Sequence, residues 1–229
     1  MQFLSCPIYS WYSVEVVAEV GLRERKKQQT RELIAEAARR LFADRGFDQV
    51  TVAEVARAAN VSEVTVFNYF PTKEDLLYGG MQFFEESLLD AVRSRQPGAS
   101  VLEAFRRPIF EGFKRLATDE ATAAIIASGK MIQASPTLEM REREIVANYT
   151  RQLADLLADE AGAKPGDVES MGVASALMGV QRALVAYVRA GVLAGRRGEK
   201  LTSDARSQAT RAFARLEKGL SEYGRKPRR

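Results

Sequence analysis

The chain has no histidine and a single cysteine, Cys6. Zinc centres of imidazole and thiolate, histidine-activated nucleophiles, intrachain disulfides and cysteine redox pairs all need residues that are missing. Scarce cysteine also suits a reducing compartment, and a cytoplasmic protein is expected. Glycine-rich phosphate loops are absent too, because Gly79-Gly80 and the stretch Gly195 to Gly198 lack the strand-loop-helix context such loops need. Carboxylates are plentiful, yet nothing pairs them in a recognisable acid–base arrangement. The expectation is therefore no enzyme, no catalytic residue, no metal and no cofactor.

Strong charge of either sign is also lacking. The net charge is +4, and acidic and basic residues alternate along helix faces, so charge by itself does not point to nucleic acid. The first 20 residues contain the only tryptophan, Trp11, but no lysine or arginine, so they lack the basic start of a signal peptide. Pro7, serines and glutamates break their apolar character too often for a membrane span. This extension, residues 1–22, reads as a disordered arm, as a segment packing on the body or a partner, or as the product of a start placed too far upstream. A disordered arm or an upstream start is preferred.

What is present is punctuation. Thr51 followed by Glu54 is a capping box, which starts a helix at Val52. Val52, Val55, Ala56 and Ala59 recur at three and four residues on one apolar face. Asn60 ends that helix, since asparagine tolerates the left-handed conformation just past a C-terminus. Ser62 caps a second helix from Glu63 to about Tyr69. On it Val66, Phe67 and Phe70 can face the core, while Glu63, Val64, Thr65 and Asn68 lie on or near the other side. Pro71 stops it, and Thr72 with Asp75 restarts a helix whose first turn holds Lys73, a candidate phosphate site. Upstream, Ile34, Ala37, Ala38, Leu41 and Phe42 give a helix from about Lys27 to Arg45, stopped by Gly46. Two short helices joined by a tight turn form a helix-turn-helix, whose second helix enters the DNA major groove.

The string AARRLFADRGFDQVTVAEVARAANVSEVTVFNYFPTKEDLL, residues 37–77, resembles the N-terminal domain of TetR-type transcriptional regulators. That pattern is a helix ending in LF and glycine, then TV, AGVS, an aromatic pair with YF, and a lysine followed by leucine. Asn60 replaces the usual turn glycine. Glu63 and Val64 stand where lysine and glycine are common, which bears on the operator sequence and leaves DNA binding in place. The resemblance implies an all-α chain with a three-helix helix-turn-helix DNA-binding domain at residues 23–78. A larger helical ligand-binding and dimerisation domain would follow at 79–223, with a basic tail at 224–229. The candidate DNA-binding residues are Arg31, Thr51, Ser62, Glu63, Val64, Thr65, Phe67, Asn68, Tyr69 and Lys73. Arg23, Arg25, Lys26 and Lys27 could also reach phosphate.

The rest reads as helix. Helical spacing predicts Thr72 to about Arg95, Val101 to Leu116 with Pro108 inside, Thr118 to Met131, Thr137 to Glu160, and Asp167 or Val168 to about Ala194. A last helix is expected to be capped at Thr202 or Ser203. In the penultimate helix Gly172, Ala176, Gly179, Ala183, Ala186 and Ala190 form a lane of small side chains. The resemblance implies that the last two helices make a homodimer, so that two heads read a palindromic operator on double-stranded DNA. It also implies a small-molecule effector, apolar or amphipathic and acyl-chain-like. Residues on helices that could surround it are Phe84, Leu88, Phe105, Ile109, Phe113, Ile126, Met131, Tyr149, Met178, Gln181 and Arg182. Gln181 and Arg182 stand out as polar groups in an apolar helix, and Arg182 could meet a carboxylate or phosphate. The expected function is a ligand-released repressor. The alternative is a constitutive DNA-binding regulator or activator whose C-terminal domain only dimerises.

Overall fold

Local start and stop signals mark where most of the helices begin and end. The computed structural model describes residues 22–219, so the expectations for residues 1–21 and for the tail at 224–229 fall outside them. Among the described residues there are α-helices and a 3₁₀ segment but no strand. The head consists of α1 (Leu22–Arg45), α2 (Val52–Ala58) and α3 (Glu63–Tyr69), followed by α4 (Lys73–Arg93). The body continues with α5 (Val101–Gly112), a 3₁₀ segment (Phe113–Ala117), α6 (Asp119–Ala134), α7 (Pro136–Ala161), α8 (Val168–Leu193) and α9 (Gly198–Glu217).

The caps behave as their chemistry requires. Thr51 Oγ1 accepts from Glu54 N–H at 3.3 Å, and Glu54 Oε2 accepts from Thr51 N–H at 2.8 Å, closing both halves of the box. That backbone bond, with Arg45 beside it, holds the Glu54 carboxyl down at about 2. Asn60 takes φ 55 in the turn, and Val61 N–H bonds back to Ala56 C=O at 2.9 Å. The last helix departs from expectation. It begins a turn earlier, at Gly198 after a residue with no side-chain cap, and the Thr202 hydroxyl donates back to Gly198 C=O instead.

Head and body share one hydrophobic cluster, running from Ile34, Phe42 and Phe70 through Leu77 and Leu88 to Phe105, Leu153, Met178 and Phe213. Phe70 connects α3 to α4. Its ring lies so close to Gly79 that a Cβ there would stand 2.7 Å from a ring carbon. Polar ties then fix α4 against α7. Asp75, fully buried, accepts from Arg141 Nε at 2.9 Å and Nη2 at 2.8 Å while its other oxygen caps α4 through Thr72. The Tyr78 hydroxyl donates to Leu138 C=O at 2.8 Å, and Arg95 pairs with Glu160 where the two helices end. So the run from Glu139 to Glu144 is not simply a solvated face: Arg141 and Glu142 are half-buried and turn inward.

α8 is long and apolar enough to cross a membrane by composition. Its apolarity has another source, since α7 and α9 flank it and Ala174, Leu177, Met178, Leu184 and Val188 are buried against the body. The opposite face carries the small-residue lane, with Gly172, Gly179, Ala183, Ala186 and Ala190 exposed and Ala176 half-buried.

Two expectations follow from the α4 packing. Gly79→Ala should lower thermal stability by about 1–3 kcal/mol through overpacking against Phe70. A rise in Tm, the ordinary result of replacing a helical glycine with alanine, would contradict that contact. Glu85, 1 % exposed on α4, has both carboxyl oxygens without a hydrogen-bond partner, and burial pushes its pKa up to about 8 from 4.5. The folded state therefore holds a proton that the unfolded state releases. The stabilising proton is fully present below about pH 4.5 and is lost as pH rises towards 8. Between those values Glu85 should cost up to about 1.4 kcal/mol of stability per pH unit. Chemical denaturation from pH 5 to 8 should show that slope flattened in Glu85→Gln, and an equal slope in both proteins would refute it.

Candidate functional site

The second helix of the motif presents a short, defined surface. Ser62 Oγ accepts from Thr65 N–H at 3.0 Å and lies 2.8 Å from Thr65 Oγ1, so Ser62 and Thr65 form the cap as a unit. Glu63, Val64 and Asn68 are exposed, as expected, and Val64 reaches 69 % exposure. Phe67 does not join Val66 and Phe70 in the core. It is 46 % exposed, because the helix turns it to the same outer face as Val64. Tyr69 is half-buried, and Thr51 is exposed at the start of α2.

The basic groups divide into two kinds. The Lys73 ammonium sits 4.3 Å from the centre of the Phe47 ring, in the first turn of α4, where helix dipole and cation favour an anion together. Arg31 is turned inward: its guanidinium donates to Gln82 Oε1 at 2.9 Å and lies over the Phe70 ring at 5.4 Å. It braces α1 on α4, and a phosphate contact would require it to leave those partners. Arg25, Lys26 and Lys27 are exposed near the start of α1, while the Arg23 side chain lies outside the described ones.

In the body, a cavity of about 130 Å³ lies between α4, α5, α6 and α8. Of the expected residues, Phe84, Ile109, Phe113 and Gln181 line it. Leu88, Phe105 and Met178 are buried in the core without reaching it, and Ile126 and Met131 are half-buried beside it on α6. Tyr149 faces α4 instead, with its hydroxyl 3.3 Å from Gln82 C=O and 3.3 Å from Glu86 Oε1. The Tyr149 phenol is held protonated to higher pH than usual, first by burial and then by the Glu86 charge. Arg182 is a correction. It is exposed and is not among the residues that line the cavity.

The arginine at the cavity is Arg189, two turns beyond Gln181, and Glu142 holds its guanidinium through two bonds of 3.0 and 2.5 Å. The α4 wall is Leu77, Tyr78, Met81 and Phe84. Tyr78 and Met81 recur at helical spacing with Phe84, so that face was open to sequence reasoning. The Arg189–Glu142 pair joins residues 47 apart and was not.

Known proteins place these features. The family model described as "Bacterial regulatory proteins, tetR family" matches residues 34–78. The transcriptional regulator TcmR of Streptomyces glaucescens is 27 % identical over 59 % of this chain, and the chain spans 59 % of TcmR. The fatty acid metabolism regulator protein of Bacillus subtilis is 27 % identical over 59 % of this chain and 69 % of its own length. Among solved structures, the fatty acid degradation regulator FadR from Bacillus halodurans superposes with a TM-score of 0.50, at 24 % identity, over 87 % of this chain and 98 % of FadR. That likeness shows a common helical fold, an N-terminal helix-turn-helix domain followed by a larger helical one. These relatives are regulators of transcription and not enzymes, and residues 34–78 of this chain match the DNA-binding domain of the TetR-type transcriptional regulators, on a fold like theirs.

Proposed function

We propose that the protein is a ligand-responsive repressor that binds a palindromic operator as a homodimer and is released by a small apolar or amphipathic molecule. The observation that carries this reading is the shared use of α4. The helix that leaves the helix-turn-helix at Lys73 also supplies Leu77, Tyr78, Met81 and Phe84 to the cavity wall. A molecule that fits the cavity better at one α4 position than another must change DNA affinity by the same coupling free energy, typically about 1–3 kcal/mol. The proposed domains are the head at 23–78 and the body at 79–223.

Dimerisation through α8 and α9 is supported by the exposed lane of small side chains, where Gly172 and Gly179 face open space that another helix could enter. One short recognition helix reads few base pairs, each good contact adding about 1–3 kcal/mol, so two heads on a twofold axis give the specificity that one lacks. A small effector with a largely apolar body is supported by the apolar walls of the cavity.

The direct test is a gel shift on the palindromes selected by the protein from random duplexes, with and without a metabolite extract. A shift that the extract reverses is expected, and no shift at low salt would refute the reading. The face of α3 makes a finer prediction. Thr65→Ala or Asn68→Ala should relax preference at particular base pairs, whereas Tyr69→Ala or Lys73→Ala should weaken specific and random DNA alike. Equal losses on both kinds of DNA from all four variants would overturn these roles.

A further inference from the structure

The cavity is small, and three of the four polar side chains in its wall are hydrogen-bonded. The Tyr78 hydroxyl is committed to Leu138 C=O, and the Ser128 hydroxyl donates to Ala124 C=O at 3.0 Å. Arg189, the cation of the wall, is matched in charge by the two oxygens of Glu142. Gln181 is different. It is 3 % exposed, lines the cavity, and its Oε1 has no hydrogen-bond partner. A buried amide oxygen left in that state costs about 1–3 kcal/mol, so a molecule that donates to it recovers that cost on binding.

Size and charge narrow the molecule. A dry apolar cavity of about 150 Å³ is filled by benzene, so 130 Å³ suits a body of roughly six to eight non-hydrogen atoms. A carboxylate would have to displace Glu142 from Arg189 and leave a second carboxylate without its partner, at the cost of breaking a half-buried ion pair. A hydroxyl meets no such obstacle, and because it both donates and accepts it satisfies the Gln181 amide in either orientation.

Resting on the reading of this cavity as the effector site, we propose that the cavity takes a small neutral hydroxylated apolar molecule, of the phenol or short-chain alcohol class, whose hydroxyl bonds to Gln181. The carboxylate end of a fatty acid is not what this site recognises. Gln181 acts as the specificity residue, and the Arg189–Glu142 pair excludes anions by being already satisfied.

The test uses the full chain without DNA, so it stands apart from operator release. Phenol, the near-isosteric toluene, and benzoate are titrated calorimetrically into the wild-type protein and into Gln181→Leu. Wild type should bind phenol at least about tenfold tighter than benzoate, a comparison that needs no variant. In Gln181→Leu the phenol-to-toluene affinity ratio should fall at least about tenfold, with toluene binding kept as proof that the cavity persists. Benzoate binding as tightly as phenol, an unchanged ratio in the variant, or no binding of phenol to wild type would each overturn the proposal. Extract-driven operator release could still be seen in each of those cases, which would leave the repressor reading standing.

Discussion

The buried pair of Asp75 and Arg141 sets the relation between the two halves of the molecule. Asp75 has two tasks, one for each oxygen. One oxygen closes the capping box at the start of α4, and the other receives the guanidinium of α7. Breaking such a pair by removing one partner typically costs about 3–5 kcal/mol, because the remaining charge is stranded away from water. The carboxylate that caps the first turn of the helix following the DNA-binding motif is thus the same one that docks that helix on the body. From there the constraint passes to the recognition helix by packing, since the Phe70 ring that ends α3 rests on Gly79 one turn further along α4.

This arrangement gives the proposed switch a mechanical basis. Four side chains along α4 wall the cavity, while its first turn sets Lys73 over Phe47 of the head and Gln82, further along, takes the guanidinium of Arg31. Close-packed interiors shift between discrete arrangements more readily than they deform smoothly, so filling the cavity acts on α4 as a body. The other partners of α4 are polar and directional: Tyr78 to Leu138 C=O, Arg95 to Glu160, and Tyr149 beside Glu86. Buried Glu85 sits among them without a partner. These bonds define one α4 position, and a ligand must compete with them to select another.

Much of the head was legible in the sequence because its signals are local. Thr51 with Glu54, Asn60, Ser62, and Thr72 with Asp75 each act within four residues, and each fixes a helix end that spacing alone can reveal. Phe67 was the exception. Its place beside Val66 and Phe70 suggested core, but a seven-residue helix buries a narrow stripe, and a hundred degrees of rotation put the ring outside. The body was legible as helices and much less so as a site. Gln181 could be singled out as a polar residue in an apolar run, and so could Arg182, yet spacing alone does not say that only Gln181 reaches the cavity. Nothing near Arg141, Glu142 or Arg189 in sequence announces their partners, since the pairs join residues 66 and 47 apart. A charged run on α7 looks the same whether it faces water or another helix.

The central claim is that Asp75–Arg141 holds the start of α4, and through it the head, in place on the body. Native-state hydrogen exchange of Arg141→Met against wild type tests it most directly. The account predicts that amides at residues 73–78 and in α3 lose at least about tenfold in protection, a change of about 1.4 kcal/mol in local stability, while those in α8 and α9 are unchanged. Unaltered protection at the start of α4, or a uniform loss across the whole chain, would contradict it.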